Sequence, residues 1–193
     1  MLKPTRIPSP IRRIVALIAA TLLLAAAPTL GSDEPLPETL LNPTQVEAIS
    51  IDDFHRVLES HQGKVIVINF WATWCIPCVQ ELPELNELQK RFRDKGLMVI
   101  AVSLDDQDKL EDSVRSFFAK RAPDLISYLS TEEEPSDFVG SLDPEWLGAL
   151  PSTYFLNGSG EVKKGATGRL SYQRFEELVT EMLAKEKEAA AGD

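Results

Sequence analysis

The chain has 193 residues, 44% of them apolar and 26% charged, with a net charge of −10. This composition excludes a disordered chain and one embedded wholly in a membrane, and the length suits one folded domain with an appendage. Lys3, Arg6, Arg12 and Arg13 are the only charges in residues 1–31, so the remainder carries a net −14 and should repel nucleic acid and anionic lipid alike.

The first element is apolar. Ile14 to Ala27 has no charged residue and follows Arg12-Arg13, the layout of the basic and hydrophobic regions of an export signal. Continued to Leu30, the run reaches the lower length limit for a membrane-spanning helix. A cleaved signal peptide and an uncleaved signal anchor both fit residues 1–31. Pro28 directly follows Ala25-Ala26-Ala27, the best small-residue cleavage pattern, and this favours a tether whose positive flank stays in the cytoplasm. Either way the domain faces outward, into a periplasm or its equivalent. The Arg12-Arg13 pair reads as ordinary positive flank, because its neighbours add little to a twin-arginine signal. Residues 32–45, with Pro35, Pro37 and Pro43, read as an irregular spacer, and 46–193 as the folded domain.

Within that domain, Asp52 is placed to cap a short helix carrying Phe54, Val57 and Leu58 on one face, with Gly63 as its stop. The period then changes. Val65 to Trp71 is an almost unbroken β-branched and aromatic run, the pattern of a strand buried on both faces. Val79, Leu82, Leu85, Leu88 and Phe92 form one apolar stripe on a long helix that contains Pro83 and ends near Gly96. Leu97 to Leu104 is a second buried strand, and Leu110, Val114, Phe117 and Phe118 mark a helix closed by Pro123. Leu125 to Leu129 is a short strand, while Glu132 to Trp146 has mixed character. Asn157-Gly158-Ser159-Gly160 is a hairpin turn between Ser152–Leu156 and Glu161–Ala166, and Ser171 caps a last helix whose tail from Lys185 should fray. This order gives an α/β fold with a central mixed sheet flanked by helices.

The two cysteines, Cys75 and Cys78, lie where the first buried strand meets the long helix. A C-x-x-C pair in that setting reads as a redox motif. At the helix N-terminus, unpaired N–H groups and the helix dipole favour a thiolate, which makes Cys75 the attacking nucleophile. Cys78, one turn deeper, resolves the resulting mixed disulfide, and Pro77 stiffens the turn without costing a needed N–H. A structural disulfide would close too small a loop to constrain the unfolded chain. A metal site would need further ligands, for which only His55 and His61 are soft enough. A peroxidatic cysteine with a resolving partner is the remaining option.

The segment Val67-Ile68-Asn69-Phe70-Trp71-Ala72-Thr73-Trp74-Cys75-Ile76-Pro77-Cys78-Val79-Gln80-Glu81-Leu82-Pro83 resembles the membrane-tethered thioredoxin-like proteins of the TlpA/ResA type. Leu150-Pro151-Ser152-Thr153-Tyr154-Phe155-Leu156 is similar to the family's second landmark, a cis-proline loop opposite the active cysteines. The resemblance implies a thioredoxin-like fold and a cis Pro151, with Leu150 offering its backbone to a substrate strand. It implies that Glu81, one turn after Cys78, is the proton acceptor for that thiol, where thioredoxin's buried strand acid corresponds to Asn69. Trp74, Ile76, Pro77, Leu150 and Pro151 are then the substrate-binding surface. Trp71 is expected in the core, Trp146 is expected to pack rather than to bind, and His55 and His61 have no assigned role.

The function implied is an extracytoplasmic thiol-disulfide oxidoreductase that exchanges its Cys75-Cys78 dithiol with protein substrates. The resemblance, not the sulfur chemistry, makes it a reductant fed by a membrane thiol donor, with cytochrome c maturation as one setting. It needs no cofactor beyond its own redox-active disulfide and no metal, and it engages the inner membrane only if residues 1–31 remain. Two alternatives stay open: a soft-metal module delivering copper, and an oxidase of folding proteins distinguished by a less negative potential. The acidic stretch from Ser130 to Leu147 is longer than a minimal thioredoxin needs, and it either shapes partner choice or decorates a helix.

Overall fold

A computed structural model describes residues 35–191, so the signal or anchor reading of residues 1–31 falls outside the described residues. Among the described residues no helix is long and apolar enough to cross a membrane.

The elements run α1 (Glu38–Leu41), β1 (Glu47–Ile49), α2 (Ile51–Ser60), β2 (Val65–Trp71), α3 (Ile76–Phe92), β3 (Leu97–Ser103), α4 (Arg115–Arg121), β4 (Ile126–Ser130), α5 (Pro135–Gly140), β5 (Ser152–Leu156), β6 (Val162–Thr167) and α6 (Tyr172–Ala191). They build one six-stranded sheet in the order β1-β4-β3-β2-β5-β6. β1, β4, β3 and β2 are parallel, while β5 and β6 join antiparallel through the expected hairpin. This is the mixed, helix-flanked sheet that the sequence implies.

All seven residues of β2 are buried, and their alternation divides the core in two. Val65, Val67 and Trp71 face the cluster built with α3, α4 and α6, while Ile66, Ile68 and Phe70 face the cluster of α2 and α5. Two covered faces explain why the run reads as continuously apolar. Asn69 keeps the first parity and therefore points under α3. Helix α3 is fixed over the sheet by polar contacts as well as by its apolar stripe: Gln89 accepts the Val99 N–H at 2.6 Å, and Asn86 donates to Asp124 at 3.0 Å. After α3, one turn of 3-10 helix leads to Gly96, whose φ of 97° is the left-handed stop foreseen there.

Four local readings change. Ser50, not Asp52, caps α2, its hydroxyl accepting the Asp53 N–H at 3.2 Å while Asp52 lies within the first turn. The expected spacer contains α1, held to the domain because the Tyr128 hydroxyl donates to the Leu40 carbonyl and Leu36 and Leu40 pack on the α2 cluster. The three-residue edge strand β1 was not foreseen. The tail beyond Lys185 continues as helix to Ala191 instead of fraying, consistent with its Ala, Lys and Glu content. The segment read as mixed resolves into α5, with Phe138 and Val139 wholly buried, followed by an irregular approach to Pro151.

Candidate active site

The end of β2 delivers the chain into a short loop, Ala72 to Trp74, before α3 begins. Two anchors hold that loop. The Leu104 N–H donates to the Trp71 carbonyl at 2.8 Å, and the Thr73 N–H and hydroxyl donate to the buried carboxylate of Asp105 at 2.9 and 2.5 Å. Ser103 fixes that carboxylate from the other side at 2.6 Å.

Cys75 is the N-cap of α3, and its sulfur accepts the Cys78 N–H at 3.3 Å. The two cysteines are joined in a disulfide with Cα atoms 5.3 Å apart. No acidic side chain lies in the first turn, so no carboxylate there offsets the positive end of the helix dipole beside Cys75. Cys75 retains 5% exposure and Cys78 none, an order that suits attack at Cys75 and shielding of Cys78. Trp74 and Ile76 flank Cys75 and are 68% and 71% exposed, while Pro77 occupies the first turn of α3 and is also exposed.

Glu81, three residues beyond Cys78 and so on its side of the helix, is completely buried. Its ordinary fate as a solvated helix carboxylate is thereby excluded. One oxygen accepts from the Asn69 amide at 2.8 Å, the other from the Leu170 N–H at 2.6 Å. Burial raises its pKa to about 7. The Leu170 and Asn69 hydrogen bonds pull the other way, Glu84 adds to the rise, and Arg169 opposes it. The Asn69 amide also donates to the Thr153 hydroxyl at 3.0 Å, while its own oxygen has no partner among the described residues. Both N–H bonds of this amide therefore serve the carboxylate and the strand beyond Pro151.

The Leu150-Pro151 peptide bond is cis. Gly168, at a φ of 86° that favours glycine, donates to the Pro151 carbonyl at 2.8 Å. Two residues on, the same turn supplies the Leu170 N–H to Glu81, so the proline loop and the buried acid share one support. Leu150 is half-buried against both core clusters. Trp146 packs as expected, its indole N–H donating to Ser152 at 2.9 Å and to the Ala149 carbonyl at 3.2 Å. Trp71 lies wholly in the core.

His61 is buried at the end of α2, where its Nδ1 sits 2.8 Å from the Val57 carbonyl, and burial lowers its pKa. Neither His61 nor His55 joins the cysteines. Among the described residues no three His, Cys, Asp or Glu side chains are grouped to hold a metal ion. Sequence reasoning missed Asp105 and the Gly168–Leu170 turn. An acid directly after a buried strand, and one amide within an otherwise apolar run, were the signals for Asp105 and for the bonding role of Asn69. The turn left no signal, because it acts through backbone N–H groups.

A reduced pair here can exchange thiol for disulfide, and a buried carboxyl of near-neutral pKa lies one helical turn beyond the deeper cysteine. The model of the AhpC/TSA family matches residues 33–164. The thiol-disulfide oxidoreductase ResA of Oceanobacillus iheyensis is 30% identical over 145 residues, covering 74% of this chain and 70% of that protein. The thioredoxin-like protein YneN of Bacillus subtilis is 33% identical over 120 residues, 62% of this chain and 66% of that one. Among solved structures, a secreted thiol-disulfide isomerase from Corynebacterium glutamicum superposes with a TM-score of 0.58 at 18% identity, covering 66% of this chain and 75% of that one. A thiol:disulfide interchange protein of Chlorobium tepidum gives 0.56 at 21% identity, covering 65% and 83%. These two likenesses show the fold.

Proposed function

Because this chain belongs to the AhpC/TSA family and, within it, to the ResA-type thiol-disulfide oxidoreductases, we propose that it is an extracytoplasmic reductant of protein disulfides. The Cys75 thiolate attacks one sulfur of a substrate disulfide; a Cys75-substrate bond forms and the substrate's other sulfur leaves as a thiolate. Cys78 passes its proton to Glu81 and attacks the Cys75 sulfur. The mixed disulfide breaks, the substrate leaves with its second thiolate, and the Cys75-Cys78 disulfide remains. Two electrons have moved to the substrate. A membrane thiol donor returns them, and no cofactor beyond the cysteine pair takes part.

The observation that carries this reading is the buried Glu81, hydrogen-bonded by Asn69 and Leu170, with a pKa raised to about 7, on the helix turn after the deeper cysteine. A carboxyl of that pKa can accept a proton at neutral pH and give it back when the pair is reduced again. Trp74, Ile76, Pro77, Leu150 and Pro151 form the face that receives the substrate strand. The apolar run 14–30, used as a tether, keeps the domain on the outer side of the inner membrane, where maturing cytochrome c is one disulfide-bearing client.

Trapping tests the division of labour. Cys78→Ser should accumulate mixed disulfides through Cys75, seen as adducts on non-reducing gels that vanish with dithiothreitol. If Cys75→Ser traps partners instead, or if neither variant traps any, the assigned roles fail.

A further inference from the structure

Two hollows of about 610 and 430 Å³ lie side by side on the surface of α3 and α4, sharing Thr73, Phe117 and Arg121. Thr73 and Ile76, two residues before and one after Cys75, line the larger one, so the groove runs beside the redox pair. Its floor is apolar: exposed Ile76, Val79, and Phe117, whose ring stacks on buried Trp71 with centroids 5.6 Å apart. Its rim is cationic, with Lys120, Arg121 and Arg169. Arg169 is paired with Glu84 at 2.5 Å, whereas Lys120 and Arg121 have no ion-pair partner among the described residues. The Arg121 guanidinium lies 5.7 Å from the Phe117 ring centroid, which keeps it over the floor.

No acidic side chain lines either hollow. That is opposite in sign to the chain as a whole, which has 30 acidic and 20 basic side chains and is net −14 beyond residue 31. Net charge of either sign serves solubility, whereas unpaired cations over an apolar floor beside the reactive cysteine are suited to hold a carboxylate and an apolar side chain together. Screening over about 10 Å at 0.1 M salt lets the groove's own charges govern a segment already in contact, while the domain's net charge is felt weakly.

We propose that this groove docks the substrate protein through an extended segment next to the disulfide under attack. An apolar side chain of that segment lies on the Ile76 and Phe117 floor, and an Asp or Glu reaches Lys120 and Arg121. Charge-assisted bonds to a guanidinium favour such an acid, and a Lys or Arg at the same place is repelled. The inference rests on the reductase reading and gives that reading a substrate class: disulfides flanked by acidic and apolar residues.

The test uses the full-length chain, pre-reduced, and two disulfide-bearing peptides that differ only in carrying Glu or Lys beside the apolar residue next to the cysteine. The readout is the ratio of their second-order rate constants, which cancels any change in Cys75 reactivity common to both. Wild type should favour the acidic peptide by about tenfold at low salt, the scale of one good charge contact. The Lys120→Glu/Arg121→Glu double variant should invert the preference. A ratio near one in wild type, or the same ratio in the variant, overturns the docking proposal while leaving the reductase reading intact. Failure of wild type to reduce hydroxyethyl disulfide, a small neutral substrate, overturns the reductase reading and the docking with it.

Discussion

At the scale of single residues the site turns on Glu81, whose pKa of about 7 exceeds its ordinary 4.5 because it is buried. A carboxyl with a raised folded pKa stabilises the fold below its unfolded pKa and loses that contribution as pH rises through the folded value. For Glu81 that loss spans about pH 4.5 to 7 and is on the order of 3 kcal/mol. Urea unfolding of the oxidised protein should therefore show wild type losing stability across this window relative to Glu81→Gln, with the two curves diverging as pH rises. Parallel curves would mean that the folded pKa of Glu81 is not raised, leaving it ionised and unsuited to proton transfer near neutrality. The amide cannot repeat both hydrogen bonds, since Asn69 and Leu170 each donate to a separate carboxylate oxygen, so the absolute gain in the variant is smaller than the full shift. The position of Glu81 was legible through its family resemblance. Its burial was not, because the lid over it includes Leu170, 89 residues away in the chain. Asp105 was equally hidden, its partner Thr73 lying 32 residues earlier.

Among the elements, α5 supports the approach to Pro151 from the face of the sheet opposite α3. Phe138 is fully buried there, its ring 5.1 Å from Phe54 and 6.1 Å from Phe70. Phe138→Ala should cost about 3–5 kcal/mol in urea unfolding, the usual range for removing a buried ring. A loss below about 1 kcal/mol would show that α5 is a surface decoration and not part of the core. Long periodic elements were readable: β2 from its unbroken apolar run, α3 from its stripe, and the β5–β6 hairpin from Asn157-Gly158-Ser159-Gly160. Short ones were not. β1 has three residues and only Ile49 fully buried among them, too little for a period-2 pattern, and the six residues of α5 begin at Pro135 and supply scarcely more than one turn. The cap of α2 was misread by two positions because Ser50 and Asp52 are both good cap residues, and side-chain geometry decides between them.

For the whole molecule, the order of strands and helices was enough to imply a mixed sheet with helices on both faces, and the cysteine pair falls where the carboxyl end of β2 meets the start of α3. The charge pattern across the surface was not legible, because the neighbouring Lys120 and Arg121 meet Arg169, which comes from a distant segment, only in the fold. What the fold leaves open in principle is the direction of electron flow, since the same two sulfurs serve reductant and oxidant. The reduction potential decides it. The full-length chain should be equilibrated with dithiothreitol and glutathione buffers, its thiols quenched and counted. A reductant fed by a membrane donor should give a value near or below that of thioredoxin, about −270 mV, whereas a value near −120 mV would make the protein a disulfide donor and contradict the account.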